Sequence, residues 1–265
     1  MKEYICLILL FTLTYASCNN PNKNYNSSSD SELNSINPIN ESIDKIDSVF
    51  YWSGNLNSNI PILLYYKIDS NLIVGEIIYL NTINKLPITI IGTIENNNSY
   101  RILEFEKTGN ISGIITGNPF ENKFNGIWFS PKSHKELTMN LNRIDTIINF
   151  DTSQVEIQNI FGQYAYKYSE DGAEGYLKIK KTTNNKAVFG ISSVTSEPAR
   201  NIAQIEDDTI TLNTRSFVYN IPDSDNCEFQ VMFYRKFAYV KYTKGFCEGQ
   251  FGNNASIHGI YFKID

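Results

Sequence analysis

Pro61-Ile-Leu-Leu-Tyr-Tyr-Lys-Ile68, Asp69-Ser-Asn71 and Leu72-Ile-Val-Gly-Glu-Ile-Ile-Tyr-Leu80 follow one another without a gap. Two short apolar segments, rich in β-branched and aromatic residues, flank three turn-forming ones. Such side chains suit a pleated, half-buried surface, while Asp, Ser and Asn bond locally to their own backbone in turns. The stretch therefore predicts strand, turn, strand. The pattern repeats on both sides, giving candidate strands at Val49 to Asn55, Pro87 to Ile94, Tyr100 to Thr108, Ile111 to Thr116, Phe124 to Phe129 and Glu136 to Leu141. Asn84-Lys85, Asn96-Asn-Asn98 and Gly109-Asn110 mark turns between them. A meander of this length must close or stack to hide its edges, so residues 48–150 are expected to form an antiparallel β-barrel-like domain.

A weakly alternating stretch from Arg143 to Asn159 follows, and the junction is placed near Asp151. A second β series runs through residues 151–265: Phe161 to Tyr168, Gly175 to Lys180, Ala187 to Val194, Arg200 to Ile205, Thr209 to Leu212, Phe217 to Asn220, a hairpin beginning at Cys227, and Ser256 to Ile264. The fold class is all-β, with two small antiparallel β-barrel or barrel-like domains after a signal peptide and a flexible tether.

Lys2 precedes the apolar run Tyr4-Ile-Cys-Leu-Ile-Leu-Leu-Phe-Thr-Leu13, and Ala16-Ser17-Cys18 closes it. This order reads as a secretory signal over residues 1–17. The run is shorter than the roughly twenty apolar residues that span a bilayer. With the Asn- and Ser-rich segment 18–47 behind it, the segment resembles the lipobox of bacterial lipoproteins, although Tyr15 stands where that family usually has Leu. The resemblance implies acylation of Cys18 and a soluble body anchored in the cell envelope, at the outer membrane, facing the periplasm or the surface. An ordinary cleaved signal with Cys18 beside the cut is the alternative.

Cys6 leaves with the signal and Cys18 would carry lipid, which leaves Cys227 and Cys247 as an even pair in an oxidising compartment. They are expected to form a disulfide across a hairpin that turns near Arg235-Lys236 and, if centred near Phe237, sets the two cysteines opposite one another. The ending Cys247-Glu-Gly-Gln-Phe-Gly252 resembles the C-terminal module of small secreted bacterial β-barrel proteins. Gly92-Thr-Ile94, Glu104-Phe-Glu106, Gly113 and Gly126-Ile-Trp128 resemble a β-rich domain of uncharacterised exported proteins. These resemblances imply fold and not activity.

A net charge of -5 and the absence of any basic stripe argue against nucleic acid as a partner. The chain has only two histidines, His134 in a polar turn and His258 on the last candidate strand, and no Gly-x-Ser-x-Gly elbow. No convergent set of metal ligands appears and no cofactor is expected. Glu104 and Glu106, two apart on one candidate strand, are the best acid pair for glycan hydrolysis, against the plainer reading of a wet strand face. Trp52, Trp128 and the row Tyr164, Tyr166 and Tyr168 are candidates to line a barrel mouth and stack on a sugar or other flat ligand, or else to fill a core. The expected role is binding of a protein partner or a small molecule rather than catalysis. A structural subunit of an envelope assembly, or a hydrolase using Glu104 and Glu106, are the alternatives.

Overall fold

The computed structural model describes residues 49–265 apart from 96, 146–155, 184 and 248. The signal segment, Cys18, the tether and the junction near Asp151 lie outside the described residues.

The first eight strands are β1 (Phe50–Leu56), β2 (Ile60–Asp69), β3 (Leu72–Tyr79), β4 (Ile88–Ile94), β5 (Tyr100–Phe105), β6 (Ile111–Phe120), β7 (Lys123–Phe129) and β8 (Glu136–Arg143). Each pairs antiparallel with the next, and β8 returns to β1 from Trp52↔Arg143 to Leu56↔Met139, which closes the sheet into an up-and-down barrel. In the deciding stretch Asp69 pairs with Leu72, so only Ser70 and Asn71 turn the chain, with Ser70 at φ 58°. Alternation along the strands sends Ile62, Leu64, Tyr66, Ile73, Ile77, Ile102, Ile115 and Phe124 into one interior cluster. These side chains occupy the interior of the eight-stranded barrel.

The second sheet contains β9 (Gly162–Lys167), β10 (Glu174–Thr183), β11 (Lys186–Val194), β12 (Ile202–Thr211), β13 (Ser216–Asn220), β14 (Glu228–Phe233), β15 (Phe237–Lys244) and β16 (Gly259–Lys263). Their order is β12-β11-β10-β9-β16-β15-β14-β13. The sheet curls round its own core of Tyr164, Leu177, Phe189, Phe229, Phe233, Val240 and Tyr261. Its edges, β12 and β13, meet through side chains, with Tyr219 donating to Asp208 Oδ2 at 2.7 Å, and behind that edge the Phe189 ring of β11 lies 4.8 Å, centroid to centroid, from Phe217. The body is therefore barrel-like rather than closed.

Two local expectations are corrected. The segments Arg200 to Ile205 and Thr209 to Leu212 belong to one strand, β12, because a register shift opposite Phe189 and Ile191 absorbs the polar run at Glu206 and Asp207. The Cys227 hairpin turns at Arg235-Lys236, as expected, but with Phe233 opposite Ala238 its centre precedes Phe237. Cys247 then reaches Cys227 by a different route: the chain leaves β15 and bends at Gly245, φ 75°, where a Cβ would fall 2.2 Å from the Asn226 carbonyl oxygen. Only glycine fits that bend. The disulfide forms with a Cα separation of 5.0 Å.

A third apolar cluster joins the two sheets. Leu72, Ile91, Leu103, Phe105, Ile111 and Ile114 on the outer wall of the first barrel pack on Phe237, Tyr239, Ile260 and Phe262 of the second. The Lys167 amide donates to the Gly109 carbonyl at 3.2 Å, and Lys236 Nζ reaches Glu76 Oε1 at 3.1 Å and Thr89 Oγ1 at 3.2 Å. Glu76 also accepts from the Tyr65 hydroxyl. Both sheets lie within one compact unit.

Candidate functional site

Where the outer walls of the barrels diverge from this shared cluster, a cleft of about 230 Å³ opens. Leu103 and Ile260 form its apolar floor; Thr93, Glu95 and Arg101 come from the first barrel, and Tyr166, Tyr168, Tyr239, His258 and Gly259 from the second. Thr93 and Arg101 are cross-strand partners on β4 and β5, so both project from one outer face. Tyr166 and Tyr168, two apart at the end of β9, meet edge to face with centroids 5.9 Å apart.

Two polar contacts within the cleft are long. Arg101 Nη2 lies 3.4 Å from the Tyr168 hydroxyl, and the Tyr239 hydroxyl lies 3.5 Å from His258 Nε2, both at the outer limit of hydrogen bonding. Burial raises the Tyr239 phenol pKa, and burial raises that of Tyr166, so both stay neutral donors and acceptors. His258 keeps an exposed face, yet the Tyr239 and Tyr242 rings lie 5.9 Å from its own. Desolvation by its neighbours, then the Lys241 charge, draws the imidazole pKa below its ordinary value against the opposing pull of Glu95. At neutral pH the ring is uncharged.

The four expected aromatic contacts divide. Tyr166 lines the cleft. Trp52, 1% exposed, is packed edge to face on Phe124 inside the first barrel, and Tyr164, wholly buried, donates to the Ile160 carbonyl at 2.6 Å inside the second. Neither stands at a mouth, because the inward face of each strand is taken up by core. Trp128 packs against the first interior and donates its indole N–H to Glu104 Oε2 at 3.2 Å.

Glu104 and Glu106 do not form a pair. Strand β5 ends at Phe105, and a bulge at Ser112, between Glu104↔Gly113 and Phe105↔Ile111, ends the regular alternation there. Glu104 is buried, 3% exposed, and accepts from the Tyr79 hydroxyl at 2.8 Å, the Ser112 hydroxyl at 2.6 Å and Trp128. A Cβ on Gly113 would fall 2.2 Å from Trp128 Nε1, so this glycine makes room for the indole. Burial and then the Glu104 charge hold the Tyr79 phenol far above its ordinary pKa, as a permanent donor. Glu106 is exposed on the β5–β6 turn, with Asn110 Nδ2 3.4 Å from its carboxylate. One carboxylate is enclosed by neutral donors and the other is solvated.

His134 is an exposed turn residue at φ 55°. Among the described residues no cluster of three or more His, Cys, Asp or Glu side chains is placed to hold a metal ion. Comparison with protein-family models, with curated proteins and with solved structures finds no match for this chain.

Proposed function

We propose that the chain is a lipid-anchored cell-envelope protein that works by binding, with the cleft between its barrels as the recognition site. The anchor rests on the leader and Cys18. The single observation that carries the binding reading is the cleft itself: the second barrel contributes aromatic faces and both barrels contribute polar side chains. The barrel interiors are occupied by their own side chains, so recognition belongs on the outside.

Fractionation of cells expressing the wild type and Cys18→Ser tests the anchor. Wild type in the membrane fraction and the variant in the soluble fraction support it; membrane association of an unacylated protein removes it. Pull-down from envelope extracts with the Asp47 to Asp265 body, compared with the same body carrying Arg101→Ala, tests the cleft. A partner or ligand retained equally by both moves recognition elsewhere. A structural role in an envelope assembly is the second reading, favoured by the β3–β4 loop, where Ile83 is 99% and Leu86 68% exposed. Apolar side chains so presented suit a packing contact.

A further inference from the structure

We propose that the cleft takes a neutral sugar ring, a single pyranose unit of a glycan, held between the tyrosines of the second barrel and the Arg101–Glu95 side of the first. This deepens the binding reading above and rests on it. Three properties of the cleft select the class. Its lining holds one cation and one anion, the Arg101 guanidinium and the Glu95 carboxylate, with Lys241 standing behind His258, so it presents no cluster of cations to select a phosphate or carboxylate ligand. Its walls carry charged and hydroxyl groups on both sides, and burying those against an alkyl chain would leave them unpaired, which disfavours a lipid tail. What remains is a ligand with one flat apolar face and several hydroxyls round its rim. Tyr166 and Tyr168 offer the aromatic surface, and Thr93, Glu95, Arg101, Tyr239 and His258 offer donors and acceptors.

The marginal contacts point the same way. The Arg101–Tyr168 and Tyr239–His258 contacts of 3.4 and 3.5 Å are readily exchanged for shorter bonds to ligand hydroxyls. The guanidinium and the carboxylate can each engage vicinal hydroxyls through two atoms. The size is also restrictive. At about 230 Å³ the cleft lies below the range of drug-sized pockets, so one ring enters and the rest of a longer glycan stays outside.

The test is saturation-transfer NMR and calorimetry on the full-length protein in a detergent without a sugar headgroup. The probes are the methyl glycosides of glucose, galactose, mannose and N-acetylglucosamine, with glucose 6-phosphate and decanoate in parallel. The expected result is binding of at least one neutral glycoside, weakened roughly tenfold by Tyr168→Ala and by Arg101→Ala, the order of loss for one stacking or charged contact. Tyr176→Ala, outside the cleft, should leave binding unchanged. Arg101 is exposed, so its variant keeps the proposal testable even where Tyr168→Ala perturbs the fold. If glucose 6-phosphate or decanoate binds in an Arg101-dependent way and no neutral glycoside does, the sugar assignment falls while the cleft stands as a recognition site. If glycosides bind equally to wild type and both variants, the site is elsewhere. If no probe binds, the sugar assignment is overturned and small-molecule recognition at the cleft falls with it, leaving a protein partner to the pull-down.

Discussion

Phe105 of the first barrel lies stacked on Phe262 of the second, with ring centroids 5.3 Å apart and planes 11° from parallel. Both rings are almost wholly buried, 2% and 7% exposed. Truncating either ring should therefore cost about 3 kcal/mol or more of stability. The double variant Phe105→Ala/Phe262→Ala should cost less than the sum of the single ones, with a coupling of about 1 kcal/mol. Denaturant unfolding of the four proteins measures it, and strict additivity would show that the stack contributes nothing as a pair.

Glu104 is a buried carboxyl group whose hydrogen-bond partners are all neutral. Glu104→Leu would strand the Tyr79 and Ser112 hydroxyls and the Trp128 indole N–H, and should destabilise the barrel by about 3 kcal/mol or more. Glu104→Gln, which keeps one acceptor oxygen but turns an amide towards donors, should fall between that and the wild type. Gly113→Ala should displace the indole and alter Trp128 fluorescence in the native state. An unchanged midpoint for Glu104→Leu is the result that contradicts this account.

The Cys227–Cys247 bond closes a loop with a sequence separation of 20. On the chain-entropy model Cys227→Ser/Cys247→Ser should lose about 3 kcal/mol. Thermal melts with and without a reductant should converge for the wild type and the variant in reductant only. A wild type indifferent to reductant speaks against a contribution of the bond to stability.

His258 titrates below its ordinary value of about 6.5 in the folded chain. The unfolded state then binds more protons in that interval, so stability should rise with pH through the window just below about 6.5 and level off above it. The groups facing the imidazole are Lys241, Tyr239 and Tyr242 of β15 and Glu95 beyond β4. Lys241→Gln should narrow the window from below and Glu95→Gln should widen it. His258→Asn should remove this component, read as the difference in melting temperature between pH 5 and pH 7.5; an identical pH profile for His258→Asn and wild type would exclude the effect.

The meander was readable because its signals are local. Asp69-Ser-Asn71 and Gly109-Asn110 sit at observed turns, and the run from Ile60 to Tyr79 alternates as a hairpin should. The register near Glu104 was not readable, since a bulge at Ser112 depends on what Gly113 admits from β7 and not on the spacing of two glutamates. The cleft was hidden for a similar reason: Thr93 and Arg101 belong to the first barrel and Tyr239 and His258 to the second, far apart in the chain. One trace of it exists. Ile102-Leu103 on β5, Ile114-Ile115 on β6 and Ile260-Tyr-Phe262 on β16 are apolar on both faces, the mark of strands covered on both sides. Trp52 and Tyr164 carry no such mark, and residue type alone does not separate a core ring from a ligand platform.

Strand β16 threads between β9 and β15, at the middle of the second sheet, and supplies Ile260 and Phe262 to the shared cluster. In vectorial synthesis the first eight strands emerge with Leu103, Phe105 and Ile111 bare to water, and stay so until the far carboxy-terminal segment arrives to cover them. The nascent chain is thus committed to a long interval with an uncovered apolar flank, the interval in which a holdase has something to grip. Arrested chains ending before Gly259 should remain protease-sensitive at that flank and gain protection only once Lys263 has emerged; early protection would show that the first barrel shields itself.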